Sequence, residues 1–313
     1  MPLAKHEYVS DTWRDGIFAN KVVFCTGGAG TICSAQVRAM VHLGANACII
    51  GRNPEKTERM AKDIATARQG AKVIGLGNVD VRKLDSLEQA VQTCVQELGG
   101  IDFTIAGAAG NFLATINQAS ANAFKSVIDI DLLGSYNTLK ATLPHLVKSA
   151  AAHRIDGNTP PRNGTGGRII FVSATLHYAG TPFQAPASAA KAAIDALSAS
   201  LCIEQGPRGI TSNVIAPGPI ANTEGMDRLA RPEDVQALTR LVPVGRMGSV
   251  KDIADATVFL FGDTGNYVNG AVVVVDGGAW RTAGPSGNGI AYPDAMLSDE
   301  VIQGVAGRKK AKL

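Results

Sequence analysis

Two short stretches carry residues suited to holding a phosphate. The first, "FCTGGAGTICSAQVRAMVHLGA" (24–45), runs from a β-branched segment through a glycine turn into helical spacing. In that setting the backbone N–H groups around Gly27, Gly28 and Gly30 and the positive end of the helix face a pyrophosphate. A purely structural turn is the alternative. The second stretch, "IIGRNPEK" (49–56), ends the next strand. An acidic residue there would accept hydrogen bonds from a ribose 2′-OH; Arg52 and Asn53 stand in its place. The planar fork of an arginine binds a 2′-phosphate bidentately, which favours NADPH over NADH; otherwise Arg52 is a solvated surface residue. A third candidate is Lys191, within the alanine-rich "SAAKAA" (188–193), with Ser188 three residues earlier on the same helical face.

The elements that must position these groups are legible from periodicity. Segments 21–26, 46–50, 71–76, 101–106, 167–173, 210–216 and 271–276 are short β-branched runs. Between them, 33–44, 54–68, 84–98, 120–149, 187–205 and 250–262 carry helical spacing. Nearly continuous apolar strands alternating with helices predict a parallel sheet covered on both faces. Right-handed crossovers then give a Rossmann-type, doubly wound α/β sheet of about seven strands, ordered 3-2-1-4-5-6-7, in a single domain. Residues 1–20 read as a polar lead-in, 21–280 as the cofactor-binding domain and 281–313 as a glycine-rich, then basic tail. The segment 151–167, rich in Pro, Gly and Asn, reads as a surface loop.

Composition excludes several classes. Hydrophobic residues make up 45% of the 313 and charged ones 18%, so a core is expected and disorder is not. A net charge of +3 admits anionic ligands but forms no basic stripe for nucleic acid. The five cysteines, none in a CxxC pair, read as reduced core thiols. The five histidines show no ligand spacing, so no metal site is expected. There is no signal-peptide core and no apolar run of about eighteen residues, so no membrane span is expected.

From about Lys21 to Trp280 the chain resembles the short-chain dehydrogenase/reductase family. The resemblance rests on Thr26-Gly27-Gly28, "NVDV" (78–81), "AAG" (108–110), Lys191, "APGP" (216–219) and "VDGG" (275–278). It implies cofactor contacts from Thr26, Gly27, Gly28, Gly30, Thr31, Ile32, Arg52, Asn53, Asp80, Val81, Ala108, Pro217, Gly218 and Ile220, with Lys191 on the nicotinamide ribose. By it, Asp80 contacts adenine, and Pro217 and Ile220 flank the nicotinamide. Three departures stand out. Thr31 and Cys33 occupy the two later glycine positions of the turn. "AGAAG" (106–110) lacks the asparagine often found there. And four residues before Lys191, where the family's catalytic tyrosine sits, is Ala187.

One branch of that family, the 2,4-dienoyl-CoA reductases, also lacks the tyrosine. The match is close in "AAGNF" (108–112), "SATLHYAGTPFQAPASAAKAA" (173–193) and "APGPIANTEG" (216–225), and the turn "TGGAGTIC" is similar to the fungal peroxisomal type. The resemblance implies NADPH-dependent reduction of a 2,4-dienoyl-CoA to a 3-enoyl-CoA, with hydride reaching C5 and a proton reaching C2. Such chemistry needs a donor at the thioester oxygen and an acid near C2. The resemblance implies Asn111 as the donor, with Phe112 and Ser188 on the substrate, Ser188 bonding either substrate or Lys191. Two groups compete as acid: Asp131, directly or through a water, and Tyr178. Residues 222–235 are expected to form a flap over the acyl chain.

The ending Ala311-Lys312-Leu313, behind three basic residues, is a variant of the peroxisomal import tripeptide, which predicts an import receptor as partner and a peroxisomal location. The helices at 120–149 and 187–205 are expected to pack across a two-fold axis of a homo-oligomer. Two further readings stay open: a reductase of ketones or enones that uses Tyr178 as its acid, and a non-catalytic NADP-binding regulator.

Overall fold

The computed structural model describes residues 2–152, 166–229 and 239–282. Seven parallel strands form one sheet: β1 Val22–Thr26, β2 Asn46–Ile50, β3 Val73–Leu76, β4 Phe103–Ala106, β5 Arg168–Val172, β6 Thr211–Pro217 and β7 Val272–Val275. Their order is β3-β2-β1-β4-β5-β6-β7, the expected one. The chain order reverses between β1 and β4, so the crevice beyond the carboxyl ends of those strands is where this topology places a ligand.

Helices cover both faces because β1 and its neighbours are apolar on both sides. On one face lie α1 Thr31–His42, α2 Pro54–Ala65 and a later helix, Val250–Phe261. On the other lie α3 Leu84–Leu98 and the long segment that begins with α4 Ala121–Ile128 and resumes as α5 Gly134–Ala151. The chain then adds the single turn α6 Leu176–Ala179, the long α7 Ala185–Gln205, α8 Glu224–Leu229, the Val250–Phe261 helix, here α9, and α10 Ala279–Thr282.

Two features depart from the sequence expectation. Helical spacing across 120–149 predicts one helix, but Asp129–Leu133 forms a π-turn between α4 and α5. An extra residue in one turn leaves the apolar spacing on either side nearly intact, so periodicity does not register it; such turns favour functional sites. The lead-in is also less polar in effect than in composition. Tyr8, Val9 and Phe18 are buried in the core, and Asp255 of α9 clasps the segment by accepting from Ser10 and the Trp13 indole, the latter at 2.9 Å. Most of the segment expected to be a surface loop (153–165), residues 230–238 of the expected flap, and residues from 283 on, with the terminal tripeptide, lie outside the described residues.

Candidate active site

The glycine turn is shaped by close backbone approach. Gly27 has φ +66°, and a Cβ there would come within 2.9 Å of the Ala108 backbone. A Cβ on Gly28 would strike Ile49 at 2.5 Å, so only glycine fits either place. Gly30 is the N-cap of α1, with no side chain capping the helix and no acidic residue in its first turn. With no acidic side chain at its cap or in its first turn, the α1 N-terminus fits a pyrophosphate. Thr26 spends its side chain elsewhere: its Oγ1 accepts from the amides of Gly107 and Ala108, at 3.2 and 3.3 Å, and ties β1 to the loop after β4.

Cys33 and the missing asparagine explain each other. A Cβ on residue 107 would meet the Cys33 Sγ at 2.3 Å. The chain accommodates a cysteine at a glycine position of the turn because Gly107, across the crevice, has no side chain.

The adenosine end is less uniform than expected. Arg52 is exposed and makes no hydrogen bond or ion pair among the described residues, so its fork is available. Asn53 caps α2, its Oδ1 accepting from Lys56 N at 2.8 Å, so its oxygen is committed to the helix. Asp80 is occupied by Arg82, whose Nε and Nη2 both donate to it, and this holds the Asp80 carboxyl below its usual range. Val81 and Gly134 touch so closely that a Cβ on Gly134 would lie 2.6 Å from Val81, and Asn137 donates to the Val81 carbonyl at 3.0 Å. On the far side, Pro217 and Ile220 are buried, and Gly218 presses on Asp276, a Cβ there approaching to 2.4 Å.

The chemical centre lies where the π-turn, the loop after β4 and α7 meet. Asp131 is 1% exposed. Its Oδ1 accepts from Gly110 N at 2.7 Å and its Oδ2 faces the Lys191 ammonium at 3.0 Å. Lys191, itself buried, also donates to the Val172 carbonyl at the end of β5, 3.0 Å away. An ammonium has three donors, so one N–H of Lys191 remains for a ligand. Ala187 fills the place of the absent phenol, packed with Ala190 against Val127.

Asn111 follows Gly110. Its Oδ1 accepts from Phe112 N at 2.8 Å and its Nδ2 donates to Gln184 Oε1 at 2.6 Å. Gln184 is buried, and sequence reading missed it. A polar residue one position before a helix looks like a cap, and nothing local shows that it reaches back to residue 111. Phe112 packs beside Ala187, at the mouth of the same centre. Ser188 does not bond Lys191, because the lysine is turned to Asp131 and Val172; the Ser188 Oγ is buried with no hydrogen-bond partner among the described residues.

Tyr178 stands on α6, edge-on to Trp280 at 5.3 Å between centroids. Its hydroxyl makes no hydrogen bond to Asn111, Asp131 or Lys191. Burial, then the Asp195 and Asp276 carboxylates, push the phenol up to about 12. It keeps its proton at any physiological pH. Beneath it, His177 Nε2 lies 2.9 Å from Asp195 Oδ2, on α7 one turn beyond Lys191. The described part of the segment expected to form a flap is α8, where Glu224 is ion-paired with Lys56 of α2.

A glycine turn into an uncapped helix, a lysine on α7 and a seven-stranded doubly wound sheet define a class that binds a nicotinamide cofactor, and the chain belongs to the short-chain dehydrogenase/reductase family. The family model described as "Enoyl-(Acyl carrier protein) reductase" matches residues 27–279. Within that class the chain is 48% identical, over 91% of its length and 92% of the relative's, to the peroxisomal 2,4-dienoyl-CoA reductase SPS19 [(3E)-enoyl-CoA-producing] of Saccharomyces cerevisiae. It is 37% identical to the Arabidopsis thaliana peroxisomal 2,4-dienoyl-CoA reductase, over 86% of this chain and 87% of that one. Among solved structures, a short-chain dehydrogenase from Bacillus anthracis, 30% identical, superposes with a TM-score of 0.70 over 83% of this chain and 96% of its own. A Mycobacterium marinum relative, 23% identical, shares the fold with a TM-score of 0.74, covering 84% of this chain and 96% of that one. No helix among the described residues is long and apolar enough to cross a membrane.

Proposed function

We propose that this protein reduces 2,4-dienoyl-CoA thioesters to 3-enoyl-CoA with NADPH, in the peroxisomal oxidation of unsaturated fatty acids. The observation that carries the reading is the buried Asp131–Lys191 pair beside the Asn111 carboxamide, with alanine where a phenol would otherwise meet a carbonyl. The 48% identity to the yeast reductase supports the same assignment.

NADPH, when bound, supplies the hydride that reaches C5 of the diene. Arg52 holds its 2′-phosphate, Gly27, Gly28, Gly30, Thr31 and Ile32 line its pyrophosphate, and Asp80, Val81 and Ala108 border its adenosine half. Pro217, Gly218 and Ile220 flank the nicotinamide. The third N–H of Lys191 serves the ribose. As C5 gains its electron pair, negative charge develops on the thioester oxygen, where the free N–H of Asn111 meets it. Asp131, with two acceptor sites still open on its carboxylate, holds the water that delivers a proton to C2, and the hydroxide this leaves regains a proton from bulk solvent. The double bond then lies between C3 and C4. Ser188 and Phe112 contact the acyl thioester. Tyr178, protonated and with no hydrogen-bond partner for its hydroxyl among the described residues, is the second donor at the mouth of the site.

The test follows NADPH absorbance with a medium-chain 2,4-dienoyl-CoA, using NADH and a 2-enoyl-CoA as controls. Oxidation confined to NADPH with the diene is expected, and in D2O the 3-enoyl product should carry one solvent deuterium at C2. NADPH binding without turnover would mean a non-catalytic regulator; turnover of a ketone instead would make Tyr178 the acid of a different reductase. The Ala311-Lys312-Leu313 ending fits receptor-mediated import, and α4, α5 and α7 are the faces proposed for a homo-oligomer.

A further inference from the structure

Asn111 has to present one particular N–H to substrate, and a carboxamide alone does not hold itself. Its oxygen is taken by the Phe112 amide, which places the NH2 group on the opposite side, toward α7. There Gln184 Oε1 accepts one of the two N–H bonds at 2.6 Å. The second N–H is left for an outside acceptor.

Gln184 is itself held from three directions. Phe183, just before it, has φ +65°, a conformation that bulky residues rarely adopt. That turn is pinned by Ala114 N, which donates to the Phe183 carbonyl at 3.0 Å. On the other side the Gln184 carbonyl accepts from Ser188 N at 2.9 Å as α7 begins. The residue is only 9% exposed, which limits competition from solvent for its oxygen.

Gln184, the residue that opens α7, stands seven positions before Lys191, about two turns along the same helix. Lys191 holds Asp131, which holds Gly110; Gln184 holds Asn111. One helix thus sets the position of two consecutive residues of the loop after β4. We propose that Gln184 is the positioning residue of the oxyanion donor: it orients the Asn111 carboxamide so that its free N–H lies where charge develops on the thioester oxygen. The inference rests on the reaction proposed above and adds to it a residue that touches neither substrate nor cofactor.

The experiment is a double-mutant cycle in the full-length enzyme. Gln184→Met keeps length and volume while removing the acceptor. It should lower kcat about ten-fold or more and leave the KM for NADPH unchanged, while Asn111→Ala should lower kcat about 10²–10³-fold. The double variant should be no slower than Asn111→Ala alone. Fully multiplicative losses would overturn the proposal, since a merely structural role acts whether or not residue 111 has a carboxamide. A second readout needs neither turnover nor a variant at 184. The two side-chain amide protons of Asn111 in the wild-type protein, assigned by their loss in Asn111→Ala, should differ, one being hydrogen-bonded and slow to exchange. Two equally fast-exchanging protons would overturn the grip of Gln184. A wild-type enzyme that reduces no diene would overturn the reaction instead, and the amide resonances separate the two failures.

Discussion

Replacing Asp131 with asparagine keeps the shape of the side chain and its acceptor for the Gly110 amide, but removes the charge facing Lys191. At the 3.0 Å separation of the two groups, an effective dielectric of about 20 gives roughly 5 kcal/mol of attraction. Both side chains are less than a tenth exposed, so water cannot replace the lost partner. Removing one member of such a pair costs about 3–5 kcal/mol, because a buried cation is left uncompensated. For a domain of this size, each kcal/mol moves Tm by roughly 2–4 °C, so Asp131→Asn should melt about 10 °C lower than wild type. Calorimetry without cofactor measures this directly. Adding Lys191→Met to Asp131→Asn should restore much of the loss, since the orphaned ammonium is gone. An Asp131→Asn melting point equal to wild type would refute the electrostatic account, and so would a double variant less stable than either single one. In activity, Asp131→Asn should lower kcat by about 10²–10⁴, the usual weight of a positioned proton donor.

Four further outcomes are expected. Arg52→Ala removes a charge-assisted contact worth about 1.5–3 kcal/mol, so the KM for NADPH should rise about 10- to 100-fold while that for NADH stays where it was; equal changes for both cofactors would place Arg52 away from the 2′-phosphate. Tyr178→Phe should cost less than about ten-fold in kcat if Asp131 and its water are the acid. The Tyr178 phenol, pushed up to about 12 when folded and near 10 when unfolded, adds stability that is complete below about pH 10 and is lost as pH rises toward 12. Melting curves between pH 9 and 11.5 should therefore fall more steeply for wild type than for Tyr178→Phe, and parallel curves would show that burial does not hold the proton. Gly107→Ala drives a methyl into the Cys33 sulfur and should cost about 1–3 kcal/mol by overpacking, with Cys33→Ala on top recovering most of it; no recovery would mean that the two positions do not constrain each other.

The sheet was legible because its signals are local and redundant. Each parallel strand buried on both faces, such as Val22–Thr26, has to be apolar throughout, and each is followed by helical spacing. The order of strands followed from right-handed crossovers together with the usual order of a doubly wound, nucleotide-binding sheet. The buried lead-in was not legible, since Tyr8, Val9 and Phe18 reach the core from turns and short 3₁₀ structure, which impose no period on the sequence.

The site was legible residue by residue but not as an arrangement. Asp131 and Lys191 were both candidates, the first as an acid and the second as a ribose ligand, yet they are sixty positions apart and nothing in either neighbourhood announces the 3.0 Å contact. What creates it is the π-turn at Asp129–Leu133, which periodicity hides. Asn53 and Asp80 also have partners that the sequence does not announce, a helix cap for the one and the Arg82 guanidinium for the other. Gln184 left no signal because its function depends on a strained turn at Phe183 that bends the chain back toward residue 111. The departures from the family pattern were the more informative features. Ala187 removes a phenol and leaves Lys191 to a carboxylate; Cys33 adds a sulfur to the turn and requires glycine at 107. In both places a residue that looks like a loss when read alone is matched by a partner far along the chain, as expected of a site rebuilt for a different proton transfer and not of one falling out of use.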